Sequence, residues 1–200
     1  MNITKLAVSG MLATTMSLSA NATLMTIETK AITTAIDSSD LNSSWAAETS
    51  PTLTNTVNAF EQYQTGQNSI NRFSLEFATE NAATWGFQAG LDAYYGAAIY
   101  VNGSLVENRT DDLWWANSWS NSDVITASAI DIVSGNNLLE IYWAEACCNG
   151  PDSIRFNTDG INWEALTTAN ITTAIPEPTA LALLGFGLLG FSLRRNKKAS

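Results

Sequence analysis

Cys147 and Cys148 are the chain's two cysteines, and they stand side by side before an Asn-Gly-Pro turn signal. A redox-active dithiol usually separates its cysteines by two residues. Adjacent thiols could instead form a vicinal disulfide, cross-link two molecules or remain free. Because an oxidising compartment favours disulfides and a turn accepts the distorted backbone that a bond between neighbours needs, we predict a vicinal disulfide at a hairpin tip.

The segment "TDDLWWANSWSNSD" crowds tryptophans among carboxylates and amides. Carbohydrate sites use this combination, since an aromatic face packs on sugar C–H groups while Asp and Asn bond to hydroxyls. Packing at the end of a β-sandwich is the alternative interpretation. The candidate ligand contacts are Trp114, Trp115, Trp119, Asp111 and Asp112.

The chain has no histidine, which excludes Ser-His-Asp and Cys-His nucleophile systems and most zinc and iron sites. Carboxylate pairs could still hydrolyse glycosides, but the partners need be close only in space, so spacing along the chain identifies none. Asp92, Asp111 and Asp112 could supply oxygen ligands to Ca²⁺, with a solvated loop as the alternative. We therefore predict no catalytic residue, no metal site and no cofactor apart from that calcium alternative.

The elements that must position these residues have the period of strands. In "RFSLEFAT", Phe73, Leu75 and Phe77 fall on one face and polar residues on the other, which is typical of a half-buried strand. In "GAAIYVNGSLVEN" two such runs flank Asn102-Gly103, a pair that tolerates positive φ, so this segment predicts a hairpin.

A second hairpin is predicted at Asp159-Gly160, with Ile161 and Trp163 facing the core after it. Short strands with polar turns every eight to twelve residues or so are typical of sandwiches. The predicted fold class is all-β, an antiparallel β-sandwich of the jelly-roll kind.

The N-terminus has the features of a secretory signal peptide. Lys5 precedes a mostly apolar run, and Ala20 and Ala22 give the small-residue pattern that a signal peptidase cleaves. We expect residues 1–22 to be removed and residues 23–175 to form one secreted domain, which is long enough to bury a core.

The C-terminus, residues 176–200, begins with Pro176-Glu177-Pro178, continues with an uncharged run over residues 179–193 and ends in a basic cluster that includes Arg194 and Arg195. A helix over the run would be about 22 Å long, short of a hydrocarbon core of about 30 Å, but snorkelling side chains and local thinning could close the gap. We predict a short transmembrane helix over 179–193, with the basic cluster in the cytoplasm and the domain outside.

These three parts resemble the PEP-CTERM sorting signal of Gram-negative bacteria: Pro-Glu-Pro, a hydrophobic helix and an arginine-rich end. The resemblance implies an inner-membrane precursor, cleavage by an exosortase near Pro176-Glu177-Pro178, and delivery to the cell surface or an exopolysaccharide matrix. An ordinary tail anchor is the alternative. Cys147-Cys148-Asn149-Gly150 resembles the motif of the CCXG family of PEP-CTERM proteins, which implies an exported domain without an established activity.

Residues 91–157 are similar to PA14 and galactose-binding-like jelly rolls, through "YYGAAIYVNGSLV" and "GNNLLEIYWAE". Some PA14 lectins bind calcium through paired aspartates where this chain has Tyr94-Tyr95. That metal site is therefore not carried over.

The net charge of the predicted domain limits the classes of partner that it can bind. Residues 23–175 contain four basic residues against eighteen acidic ones, a formal charge of −14, which excludes nucleic acid and anionic lipid as partners of this domain. We expect a non-enzymatic binding or structural protein of a biofilm or exopolysaccharide matrix, with polysaccharide as the partner. A carbohydrate-active enzyme that uses carboxylates and a thiol-cross-linked adhesin are the alternatives.

Overall fold

The structure, a computed structural model, describes residues 23–148 and 150–175. The predicted signal peptide and the sorting tail, with Pro176, Glu177, Pro178, Arg194 and Arg195, lie outside the described residues. Within them the strands are β1 (Leu24–Ala31), β2 (Leu53–Val57), β3 (Ser69–Thr79), β4 (Ala83–Gly90), β5 (Asp92–Ala93), β6 (Ala97–Val101), β7 (Ser104–Arg109), β8 (Leu113–Trp114), β9 (Ile125–Ile132), β10 (Gly135–Glu145), β11 (Ser153–Asn157) and β12 (Glu164–Ala165). The helices are α1 (Leu41–Ala47) and α2 (Thr168–Ala174).

Two antiparallel sheets form the sandwich. One has the strand order β2-β1-β3-β10-β6-β7 and the other the order β12-β11-β4-β9, while β5 and β8 make a short ribbon of their own. Side chains from both sheets share one core, which includes Phe73, Phe87, Ile141 and Phe156. The predicted all-β antiparallel sandwich is therefore confirmed.

The apolar residues that alternate with polar ones in the sequence are the residues that the structure buries. Phe73, Leu75 and Phe77 of β3 are all buried in the shared core. The hairpin at Asn102-Gly103 is also confirmed: it joins the paired strands β6 and β7, and both turn residues have positive φ, 51° and 77°, as a tight hairpin turn requires.

For the second hairpin, the predicted strand pairing is confirmed, but the prediction that Ile161 faces the core is wrong. β11 and β12 pair beyond Asp159-Gly160, but Ile161 is 78% exposed instead of facing the core. The Asp159 carboxylate accepts hydrogen bonds from the backbone N–H of Ile161 at 2.9 Å and of Asn162 at 2.8 Å. The chain is still turning where a strand was predicted, because this Asx arrangement extends the loop.

A smaller core covers the outer face of the six-stranded sheet. Helix α1 begins after Asp40, whose carboxylate accepts from the N–H of Ser43. The helix packs Leu41 and Trp45 on Tyr142 and Ala144 of β10. β10 is therefore buried on both faces near its C-terminal end.

The segment between β10 and β11, which contains the cysteines and is here called the crossing segment, passes from one sheet to the other. β10 lies in the six-stranded sheet and β11 in the four-stranded one, so residues between them cannot form the predicted hairpin tip. That prediction is wrong because both edges of β10 are already taken: Trp143 lies opposite Asn71 of β3 on one side and opposite Ala97 of β6 on the other.

Candidate functional site

The predicted aromatic site is divided between two clefts. The first, here called the disulfide cleft, has a volume of about 310 Å³ and is lined by Asp92, Tyr94, Asp112, Trp114, Glu145, Cys147 and Cys148. The second, here called the arginine cleft, has a volume of about 230 Å³, and its lining includes Gln62, Asn117, Trp119, Arg155 and Trp163. Trp114 and Trp119 thus serve different clefts, although the sequence groups them.

Trp114 is fixed at the disulfide cleft by its strand. In the β5–β8 ribbon it lies directly opposite Asp92, and its side chain is 47% exposed. On its other side, a Cβ atom at Gly150 would overlap the Trp114 ring and the Asp92 carboxylate. The glycine therefore lets the crossing segment pass closely beneath an indole that remains open to solvent.

Cys147 and Cys148 form a disulfide with each other, the first of the three alternatives. Both residues are exposed and line the cleft. The Cys147 N–H donates to the Glu145 carboxylate at 2.7 Å, and Cys148 has a φ of 76°, which a non-glycine residue rarely adopts. The disulfide is thus one wall of the cleft, held by the strand that precedes it.

Three acidic side chains lie beneath this wall. Burial raises the pKa of Asp92, of Glu145 and, most strongly, of Asp152, which is 1% exposed. The side chains of Asp92 and Glu145 also hydrogen-bond to each other. This contact couples the titration of the two carboxyls.

Each of these carboxyls also holds backbone in place. Glu145 accepts from the N–H of Cys147 and, at 3.1 Å, from the N–H of Tyr94. Asp152 accepts from the N–H of Asp92 at 2.8 Å, and Asp92 accepts from the N–H of Gly150. The acids thus connect β5, the end of β10 and the crossing segment, and so set the shape of the cleft.

The aspartates predicted from the tryptophan-rich loop have separate positions. Asp112 lines the disulfide cleft. Asp111 instead pairs with Arg109, whose Nε donates to it at 2.8 Å, and this hydrogen bond lowers the pKa of Asp111. In residues 23–148 and 150–175, no group of three acidic or cysteine side chains has an arrangement that could hold a metal ion.

Trp115 is a packing residue. It is 1% exposed, its ring lies where a side chain at Gly90 would be, and its Nε1 donates to the carbonyl of Pro151 at 2.7 Å. Trp115 therefore ties the tryptophan-rich loop to the segment between β10 and β11, and it also lines the arginine cleft, where its ring lies 4.8 Å from that of Trp119.

The arginine cleft centres on a stacked guanidinium. The Cζ atom of Arg155 lies 4.3 Å from the ring centroid of Trp119 and 5.2 Å from that of Trp163. Its Nε donates to Gln88 at 2.7 Å. Across the cleft, the Gln62 amide donates to Asn117 at 3.2 Å, so both amides are held at the edge.

The sequence offered partial signals for the residues that were missed. Arg155 is one of four basic residues in the domain and Trp163 belongs to a predicted strand, but nothing in their spacing joins them to Trp119. Glu145 and Asp152 flank the cysteine motif closely, and a buried position for either is visible only once β10 and β11 are assigned to different sheets.

Two solved structures have a similar fold. A PA14 domain of the antifreeze protein MpAFP is 12% identical, with a TM-score of 0.51 over 72% of this chain and 87% of that one. A PA14 sugar-binding domain from an RTX adhesin is 13% identical, with a TM-score of 0.52 over 74% and 97%. The predicted similarity to PA14 and galactose-binding-like folds is confirmed at the level of fold.

No curated protein sequence matches the chain. The described residues, 23–148 and 150–175, include no helix long and apolar enough to cross a membrane; the helix predicted over residues 179–193 lies outside them. A family model, the PEP-CTERM protein-sorting motif, matches residues 174–196, which confirms the predicted sorting signal. The chain therefore carries a PEP-CTERM signal and is an exported precursor, anchored in the membrane and processed by an exosortase for the cell surface or the extracellular matrix.

Proposed function

We propose that this protein is a non-enzymatic polysaccharide-binding component of a Gram-negative biofilm or exopolysaccharide matrix, and that it binds sugar at the disulfide cleft. The observation that carries the proposal is Trp114, an exposed indole fixed opposite Asp92 at the cleft. Sugar C–H groups pack on such a face. Asp112 and Tyr94, which also line the cleft, then supply polar groups for hydroxyls.

The sorting signal and the fold support this proposal. A protein delivered to the outer surface or matrix meets polysaccharide there, after processing by signal peptidase and exosortase. A structural neighbour of similar fold is described as a sugar-binding domain. The vicinal disulfide adds an apolar, rigid wall beside Trp114, which suits a ring-shaped ligand.

The alternative of a glycosidase has less support. Hydrolysis requires two carboxyl groups roughly 5 to 10 Å apart, with one free to transfer a proton. Asp92 and Glu145 hydrogen-bond to each other, and both also accept from backbone N–H groups. These acids are used to build the loop, which favours binding over catalysis.

A glycan array tests the proposal with the full chain and Trp114→Ala, and Leu53→Ala is the matched control. Leu53 is also an exposed apolar residue, but it lies on β2 at the far edge of the six-stranded sheet. We expect Trp114→Ala to lose the glycan signals by about tenfold or more and Leu53→Ala to keep them. If Trp114→Ala keeps every signal, sugar is not bound at this cleft.

We also propose that Ca²⁺ binds at the disulfide cleft, through Asp92 and Asp112. Asp92 and Asp112 are close enough to interact electrostatically, whereas Asp111 is paired with Arg109. Running the same array with Ca²⁺ and with a chelator decides whether the cation takes part. Calcium-dependent signals that disappear in Asp112→Asn would support a site, and equal signals in both buffers would exclude one.

A further inference from the structure

The few cations of this acidic domain have different partners. Arg72 pairs with Glu28 and lies 3.7 Å from the Glu140 carboxylate, and Arg109 pairs with Asp111. Lys30 donates to the backbone carbonyls of Trp45 and Glu48 at 2.9 and 3.0 Å. These three cations therefore contribute to the fold itself.

Arg155 differs from them. Among the residues that the structure describes, it has no carboxylate within 4.0 Å, and its hydrogen bond runs from Nε to the neutral amide of Gln88. Arginine has five N–H donors, so the four on the terminal nitrogens are unused by the described residues. Lys30 also lacks an acidic partner, but its ammonium donates to two carbonyls, whereas the terminal nitrogens of Arg155 have no partner among the described residues. The Arg155 fork is therefore available to another anion.

The surroundings of Arg155 define what that anion can be. Trp119 and Trp163 lie over the guanidinium at 4.3 and 5.2 Å, and this stacking leaves the hydrogen-bonding edge of the fork as its remaining contact surface. Such an edge matches a carboxylate with two parallel hydrogen bonds. Burial also lowers the pKa of Arg155, because no neighbouring carboxylate offsets the loss of solvent around its charge.

The size and edge of the cleft point to one sugar unit. Its volume of about 230 Å³ lies below the range of roughly 300 to 1,000 Å³ for sites that enclose larger ligands. The amides of Gln62 and Asn117, together with the Ser153 hydroxyl, supply neutral hydrogen-bonding groups at the edge. Aromatic faces, amides and one cation together suit a sugar ring that carries a carboxylate.

We propose that the arginine cleft is a second binding site, specific for an acidic sugar residue whose carboxylate pairs with Arg155 and whose ring lies beside Trp119. It is separate from the disulfide cleft, and it rests on the proposed function only in taking the ligand to be a saccharide. It makes acidic polysaccharide the preferred partner of a domain that otherwise repels polyanions.

Glu61 provides an internal test of this assignment. Its side chain also lines the arginine cleft and is exposed, and its negative charge would oppose a bound carboxylate. Glu61→Gln should therefore strengthen binding of an acidic sugar by a few fold and leave a neutral sugar unaffected. Among the described residues the Glu61 side chain makes no hydrogen bond, so we expect Glu61→Gln to have little effect on stability.

The experiment is a titration of the full chain with D-glucuronate, D-glucose and acetate, followed by the indole N–H signals in NMR spectra. We expect glucuronate to bind, with an affinity that falls as salt is added, and glucose and acetate to bind at least tenfold more weakly. Arg155→Gln should lose about tenfold or more of the glucuronate affinity, with Arg109→Gln as the control cation.

Several outcomes would overturn the proposal. These are equal binding of glucose and glucuronate, unchanged affinity in Arg155→Gln, or weaker binding in Glu61→Gln. Equal binding of acetate would show an anion site without sugar selectivity and would also overturn it. Trp114→Ala distinguishes the two sites. If this variant loses the glycan-array signals and keeps glucuronate binding, the results support a separate site in each cleft. If it loses glucuronate binding, that binding belongs to the disulfide cleft and the proposal is overturned.

Discussion

The buried carboxyl of Asp152 accepts a hydrogen bond of 2.8 Å from the backbone N–H of Asp92. Asp152 comes just before β11, in the four-stranded sheet, and Asp92 belongs to the ribbon that carries Trp114. The backbone of Asp152 also exchanges hydrogen bonds with Tyr63 in both directions, at 2.7 and 2.9 Å. A single acidic residue thus holds three separate segments together behind the disulfide cleft.

This contact predicts a pH dependence of stability. Burial raises the pKa of Asp152, so the folded state binds this proton more tightly than the unfolded state does. The contribution to the free energy of unfolding is therefore greatest below the unfolded pKa of about 4 and is lost as pH rises through the raised pKa of the folded state. Asp152→Asn keeps an acceptor without the charge and should reduce that decline.

Urea unfolding between pH 4 and 8 measures this effect in the wild type and in Asp152→Asn. The control is Asp131→Asn, because Asp131 is exposed on β9. Since Asp92 and Glu145 have raised pKa values of the same origin, we expect a smaller slope and not a flat line. Identical slopes in the wild type and Asp152→Asn would contradict the assignment.

Glu48 predicts the opposite dependence at lower pH. Burial, with 3% of the residue exposed, opposes its charge, but hydrogen bonds from the N–H and hydroxyl groups of Thr33 and Thr34 outweigh this and lower its pKa to about 2. The stability from this group is present above the unfolded pKa of about 4.5 and is lost as pH falls toward 2.

Glu48→Gln should therefore lower the free energy of unfolding at pH 7 by about 2 kcal/mol and weaken the acid-induced loss of stability between pH 4.5 and 2. Chemical denaturation at pH 7 and an acid titration followed by circular dichroism measure the two effects. Glu76→Gln, at an exposed position of β3, is the matched control. An unchanged acid transition in Glu48→Gln would show that another group controls it.

The strands could be predicted from sequence because burial alternates within single segments, as Phe73, Leu75 and Phe77 show. The sites could not, because they depend on which sheet each strand joins. Because β10 pairs with both β3 and β6, the chain passes to the other sheet after Glu145, and no local sequence pattern specifies that. Arg155 and Trp119 meet for the same reason: β11 and the tryptophan-rich loop become neighbours only in the folded sandwich.

Substitution of Gly150 should mainly affect binding, whereas substitution of Gly90 should mainly affect stability. A Cβ atom at Gly150 would overlap Trp114 and Asp92, and one at Gly90 would overlap Trp115. Gly150→Ala should therefore displace Trp114 and weaken binding at the disulfide cleft, whereas Gly90→Ala should disturb Trp115, which is buried, and mainly lower the free energy of unfolding, by about 1 to 3 kcal/mol. Glycan binding and denaturation measured on both variants separate the two effects, and equal binding losses would contradict the division.

The disulfide is expected to act through local conformation and not through cross-linking. Cys147 and Cys148 bond to each other, so reduction should raise the intact mass by about 2 Da without releasing a monomer from a dimer. Once the bond is open, the positive φ of Cys148 loses its constraint, and ordinary L-residue preferences favour a different backbone.

Gly150, two residues further on, should then move away from Trp114. We expect the Cys147→Ser, Cys148→Ser double variant to lose glycan binding at the disulfide cleft and to keep glucuronate binding at the arginine cleft, because Arg155 is held by Gln88 and the tryptophans. A covalent dimer of the wild type on a non-reducing gel would favour the cross-linked adhesin instead. Parallel losses in both clefts would mean that the disulfide supports the whole crossing segment.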